Sequence, residues 1–255
     1  AYNPTGARLY LVNLSTGQYS TVKKWTHELY LRSMAMHEGT LFFTTGGAAR
    51  VFMLENGSVK ELDQAGVEGA SLGYSIAASD KWVVVGTEPN GTVAVYDRAA
   101  GSIPLLVRKV QIPGVQTIDS MTISDGFAYF TARSDGDLYS LNLDDPASTP
   151  QWQGQPLEVE EYRSIQVVDG QLITVGGSGA VVTANVNEGV LSDVVATPLM
   201  DMDSPGEVWG QETAAQGITH FDDKLISFGH WNMTVTDPET GDYQNARVPG
   251  EVKTT

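Results

Sequence analysis

Cysteine is absent from this 255-residue chain. That excludes disulfides, thiol catalysis, thiolate metal sites and iron–sulfur clusters together. Cations are scarce: 15 Lys and Arg stand against 31 Asp and Glu, a formal net charge of −16. Phosphate binding needs clustered Lys and Arg, so this balance argues against a nucleic-acid partner. Long apolar runs are missing too. Trp82–Val85 and Leu172–Val175 are typical, far below the roughly 20 residues of a membrane-spanning helix. The opening Ala1-Tyr2-Asn3-Pro4 has neither basic residues nor an apolar stretch, so no signal peptide is read there. A mature, already cleaved protein and a fragment begin the same way. No convincing helix is found anywhere.

What is present is a repeat. A small residue, an alternating apolar stretch, a polar turn and a β-rich run recur five times, with the small residue at Ser33, Ser75, Ser120, Ser164 and Gly217. These anchors are separated by 42, 45, 44 and 53 residues. The turns fall at His37-Glu38-Gly39, Ser79-Asp80, Ser124-Asp125-Gly126, Asp169-Gly170 and Asp222-Asp223. Each copy continues into a second hairpin, as in Arg50–Leu54 turning at Asn56-Gly57 and Thr92–Asp97 turning at Ala100-Gly101. One copy is therefore four short strands, a to d, in about 40–45 residues, the period and strand count of a β-propeller blade. Period-two alternation with Gly, Asn and Asp turns excludes a helical solenoid. The first hairpin, Leu9–Val12 turning at Ser15-Thr16-Gly17 into Tyr19–Trp25, matches strands c and d with no a–b hairpin before it. The expectation is an all-β chain, one propeller domain over residues 1–255, with six four-stranded blades of which the first is incomplete at two strands. Met34, Met36, Phe43, Val84, Ile123, Phe130, Ile165, Ile173, Leu225 and Phe228 fall on a and b strands and are expected in the core.

Gly91-Thr92-Val93-Ala94-Val95-Tyr96-Asp97 followed by Gly101, and Gly136-Asp137-Leu138-Tyr139-Ser140-Leu141-Asn142, resemble the c-strand signatures of quinoprotein-type and related bacterial propellers. Leu9–Leu14 and Gly39–Phe43 are similar in texture to propeller domains of tailed-phage tail and hub proteins. The resemblance implies the architecture over most of the chain and leaves function open, because propellers host lyases, lactonases, dehydrogenases and plain binding modules. The Gly-His and Trp-Asp pairs of WD-repeat blades and the Asp-box are absent. Four Asn-x-Ser/Thr sequons occur, at Asn13, Asn56, Asn90 and Asn232. Asn56-Gly57 and Asn90-Gly91 are also hairpin-turn dipeptides.

In a propeller the b–c and d–a loops surround one mouth of the central channel, where binding residues concentrate. That face collects Arg133, Tyr162, Arg163, Asp201, Asp203, Trp209, Glu212, His220, His230 and Trp231. Asp201-Met202-Asp203 with Glu207 can offer oxygen ligands to calcium. The string lacks the EF-hand spacing and turn glycine, and a solvated acidic loop is the plainer reading. No cofactor is expected beyond that calcium possibility. His220 and His230 share one blade and can meet at a metal or act as a base, against the plainer reading of a packed strand histidine and a turn histidine. Glu158, Glu160 and Glu161 beside Arg163 offer an acid–base pair or a solvated charged face. Trp209, Trp231 and Tyr162 can stack on sugars, with Trp152 joining them if solvent-facing; packing between blades is the alternative.

The leading reading is a non-catalytic propeller that binds other protein chains, as a subunit or fragment of an extracellular, periplasmic or virion assembly. A secreted propeller enzyme, or a module binding a glycan or small molecule at the channel mouth, is the alternative. The leading reading rests on the unfinished first blade. Its strand Leu9, Tyr10, Leu11, Val12, Asn13 is expected to present unpaired backbone groups, a template for strand addition, guarded only by Arg8.

Overall fold

The computed structural model describes residues 8–13, 15–25, 31–46, 49–63, 65, 72–132, 136–155, 162–176, 180–198, 215–221, 224–229, 232–236 and 243–247; after Ala196 it describes backbone only. The chain forms two compact units, Ala1–Ile118 and Asp119–Thr255. Among the described residues there is no helix.

The first unit holds three sheets. One has two strands, β1 (Arg8–Val12) and β2 (Tyr19–Lys24). The second orders β3 (Leu31–His37), β4 (Thr40–Thr45), β5 (Val51–Glu55) and β6 (Ser58–Glu61); the third orders β7 (Leu72–Ala78), β8 (Trp82–Glu88), β9 (Thr92–Asp97) and β10 (Leu105–Gln111). The second unit repeats the four-stranded meander three times. Its strands are β11 (Ile118–Ser124), β12 (Phe127–Ala132), β13 (Asp137–Asn142) and β14 (Gln151–Gly154); β15 (Tyr162–Val168), β16 (Gln171–Gly176), β17 (Ala180–Asn187) and β18 (Val190–Pro198); and β19 (Ala215–Phe221), β20 (Lys224–Gly229), β21 (Asn232–Thr236) and β22 (Tyr243–Arg247). Five complete blades and one two-stranded sheet follow, as the repeat predicts.

The local chemistry explains the meanders. Five connections have Glu38-Gly39, Asn56-Gly57, Asp125-Gly126, Asp169-Gly170 or Glu188-Gly189 with both φ angles positive, the geometry of a type I′ turn. Asn56-Gly57 forms the turn its dipeptide predicts. Asn90-Gly91 does not, since only Gly91 has positive φ. The small anchor residues acquire a reason as well. The pairing of first with second strand shifts register at Leu31/Met34, Gly73/Ser75, Tyr162/Ser164 and Ala215/Gly217. A bulge thus recurs beside the anchor, where it bends the strand.

Middle strands are buried on both faces. β8 is buried from Trp82 to Thr87, whereas β10 alternates exposed and half-buried residues, as the last strand of a stacked blade should. Within Ala1–Ile118, hydroxyls of β4 and β7 also reach backbone carbonyls farther along the chain. Thr44 Oγ1 donates to the Gly73 carbonyl at 2.8 Å, and Ser75 Oγ to the Ile118 carbonyl at 2.9 Å. At Gly86 the backbones come so close that a Cβ would lie 2.5 Å from the Ile118 side chain.

Of the residues expected in the core, Phe43, Val84, Phe130, Ile165 and Ile173 are buried, and Ile123 is half-buried. The side chains of Leu225 and Phe228 lie outside the described residues. Met34 and Met36 are exposed, contrary to expectation. The register gives the reason. Met34 pairs with Phe43, which pairs with Phe52; Met36 pairs with Leu41, which pairs with Leu54. Paired residues share a sheet face. On that face Phe43 and Phe52 pack against Leu9 and Trp25, joined by Leu41, Leu54 and Val59. The cover from the β1–β2 side reaches β4, β5 and β6 and stops short of the methionines on β3.

Candidate functional site

The expected edge exists. Among the described residues, β1 pairs with β2 and with no other strand. The strand has one anchored side chain: Leu9 is buried among Trp25, Phe43 and Phe52. Tyr10, Leu11 and Val12 are exposed, and Tyr10 meets Tyr19 edge-on with ring centres 5.5 Å apart. Asn13 lies beyond the strand, in the turn. Its N–H donates to the Gln18 carbonyl at 2.8 Å, and its carbonyl accepts the Gly17 N–H at 2.8 Å. Its Oδ1 accepts the N–H groups of Ser15 and Thr16 at 2.9 and 3.1 Å. Since Asn13 faces β2, backbone alternation turns the N–H and C=O groups of Val12 and Tyr10 toward the open side. The other guard is charge: Arg8 lies opposite Lys24, and Leu9 opposite Lys23.

The channel-mouth candidates fare differently. Arg133, Asp201, Asp203, Trp209, Glu212, His230 and Trp231 lie outside the described residues. Tyr162 and Arg163 stand at the start of β15, with Tyr162 opposite Gly176 and a register shift before Ser164. His220 stands on β19 opposite Leu225. For these three only the backbone is described. Trp152 on β14 is exposed, and its Nε1 donates to Asp137 Oδ1 at 2.8 Å. Arg32 of β3 stacks over the Tyr74 ring at 4.0 Å and reaches Glu88 at 3.9 Å, linking the second and third sheets.

One cluster escaped the sequence reading. His37 Nε2 lies 2.6 Å from Asp80 Oδ1, and with Glu38 these residues bring three potential metal-ligating atoms within 4.8 Å of one another. The signal was present, because His37 and Asp80 occupy the a–b turns of consecutive copies. Both carboxylates are exposed, so an ordinary surface ion pair accounts for the arrangement. Perturbed titrations lie elsewhere, in packing. Burial pushes the Tyr129 phenol up to about 12, against a backbone hydrogen bond at Gly189 that lowers it and with the Asp125 charge adding a smaller rise. Burial, then Asp63, raises Tyr96, whose hydroxyl donates to the Asp63 carbonyl at 2.6 Å. Burial lowers Lys109 against the pull of Asp63. Tyr96 and Lys109 thus share Asp63 as a neighbour, and no helix among the described residues is long and apolar enough to cross a membrane.

No protein-family model matches the chain, and no curated protein matches it in sequence. Solved structures do. A computationally designed protein, Ika8, is 16% identical with a TM-score of 0.65, over 95% of this chain and 69% of that one. A chain of the mitotic checkpoint complex is 14% identical with a TM-score of 0.66, over 87% of this chain and 64% of that one. A chain of a nidogen/laminin complex is 9% identical with a TM-score of 0.62, over 95% and 90% respectively. This chain thus spans less than two thirds of the checkpoint chain. At such identities the likeness is one of fold, and together with five four-stranded antiparallel sheets and one two-stranded sheet it makes the fold a β-propeller.

Proposed function

We propose that this chain is a non-catalytic protein-interaction module, a subunit or part of a larger extracellular or virion assembly. The observation that carries the reading is the two-stranded first sheet, whose β1 edge has no partner strand among the described residues. Open strand edges recruit strands from other chains. Two further points support it. Chains of the same fold occur in the mitotic checkpoint and nidogen/laminin complexes, which are assemblies of proteins. The resemblance of Leu9–Leu14 and Gly39–Phe43 to phage tail and hub propellers points toward a virion.

The test is the size of the native particle. Material purified from its source without denaturant, sized and cross-linked, is expected to run well above the 27.4 kDa of one chain, with cross-links to a second protein. A 27.4 kDa monomer that turns over a glycan or small molecule overturns the reading.

A further inference from the structure

The blades allow an internal comparison. Each copy places one apolar residue directly after its small anchor: Met34, Ile76, Met121, Ile165 and Ile218, the last with its side chain outside the described residues. Ile76, Met121 and Ile165 are 6%, 7% and 4% exposed, and Met34 is 60% exposed. In the third sheet Ile76 is covered by the first hairpin of the sheet before it, since it packs in one cluster with Phe42 of β4 and Ala35 of β3. Met34 stands at the same place in the second sheet, and among the described residues the sheet before it has no first hairpin. The buried interface of Leu9 and Trp25 with Phe43 and Phe52 therefore continues, one strand over, into exposed methionine. On the other side Leu11, two residues from Leu9 and so on the same face of β1, is 64% exposed.

Charge narrows the occupant. From Arg8 to His27 the chain has no Asp or Glu, although the whole carries 31 acids. Arg8, Lys23 and Lys24 sit together at one end of the β1–β2 pair. Among the described residues no carboxylate forms an ion pair with them. Among the described residues the first hairpins, β3–β4, β7–β8, β11–β12, β15–β16 and β19–β20, are each committed to their own sheets.

We propose that β1 and the exposed face of β3 form one docking site for an extended β-hairpin of a separate protein. Its outer strand pairs antiparallel with β1, bonding the backbone groups of Tyr10 and Val12, and completes the first sheet to four strands. Its inner strand lays alternate apolar side chains on Met34 and Met36. Acidic residues at its open end meet Arg8, Lys23 and Lys24. This rests on the interaction-module reading and adds the site and the chemistry of what fills it.

The test uses the full chain and a synthetic peptide copying Gly73–Glu88, a first hairpin with the required alternation and with an acid, Glu88, at its open end. Amide hydrogen exchange is followed at Tyr10 and Val12, with a scrambled peptide as control. The hairpin is expected to slow exchange at both amides at least about tenfold; a bound strand withdraws an edge amide from water. Val12→Pro, which removes an edge donor and leaves Tyr10 as the amide read, and Met34→Asp, which charges the apolar face, are each expected to abolish that protection. Thermal unfolding of each variant shows whether it folds, and either folded variant suffices. Protection by the scrambled peptide alike, no protection at all, or protection that survives a folded variant overturns the proposal. So does protection of the free chain that rises with its own concentration, which makes the occupant a second copy. A large native particle with cross-links away from β1 and β3 sinks the docking site alone. A monomeric native protein whose edge still takes the peptide sinks the assembly reading alone.

Discussion

The first and third sheets are built from the same repeat and have opposite surroundings. In the third sheet, the apolar residue after the anchor, Ile76, is buried with Phe42, Val83 and Val85, and the second and third strands are covered throughout. Among the described residues the first sheet holds β1 and β2, and exposed residues dominate both. The consequence extends to the neighbour, because Met34 and Met36 on β3 lose the cover that Ile76 enjoys. Burial in a stacked-blade protein is therefore a property of pairs of copies. A residue's place in its own copy decides which way it points, and the copy before it decides whether anything lies there.

Substitutions sharpen this contrast. Ile76→Ala is expected to destabilise by about 2–5 kcal/mol, the range for emptying a buried aliphatic site. Met34→Ala, at the equivalent place, is expected to stay within about 0.5 kcal/mol, as exposed positions do. Urea unfolding of the two variants decides it; equal losses would mean that Met34 is covered. Next in size is Gly86→Ala. A Cβ there would sit 2.5 Å from Ile118 Cβ and from Ser75 Oγ, so overpacking is expected to cost about 1–3 kcal/mol in the same assay. Ser75→Ala removes the hook to the Ile118 carbonyl and is expected to cost about 1–3 kcal/mol, because that buried acceptor is left unpaired. Neither change has a counterpart in the two-stranded sheet.

A pH effect is smaller and has a definite sign. Tyr129 is held protonated up to about 12 by burial, first, and by Asp125. An unfolded tyrosine titrates near 10. The folded state thus binds its proton more tightly. Stability from this source is complete below pH 10 and is lost as pH rises from 10 toward 12. Tyr129→Phe is expected to flatten the fall of the unfolding midpoint over that window. Some slope should remain, since burial and Asp63 raise Tyr96 in the same direction. An unchanged slope in Tyr129→Phe would contradict the assignment.

The architecture was legible because its signals are local. Asn56-Gly57 and Asp169-Gly170 mark turns by their own φ preferences, and the short apolar runs Trp82–Val85 and Leu172–Val175 need no knowledge of neighbours. The anchors were visible as small residues, though their tie to a recurrent bulge appears only in the register. Met34 and Met36 were misjudged because their exposure is set by the β1–β2 side, remote from the pattern that contains them. His37 and Asp80 meet across two copies, 43 positions apart in the chain, so a reading within each copy passed over them. Of the candidate site, the β1 edge could be deduced by counting hairpins. Asp201, Asp203, Trp209, Glu212, His230 and Trp231 lie outside the described residues.

The account stands or falls on whether the β1 edge is open in the isolated protein. Site-resolved amide exchange of the free chain at low concentration measures this directly. Val93 and Val95 on β9, flanked by β8 and β10, provide the internal reference. Tyr10 and Val12 are expected to exchange orders of magnitude faster than Val93 and Val95. Comparable slow exchange at all four amides in a monomer would contradict the account.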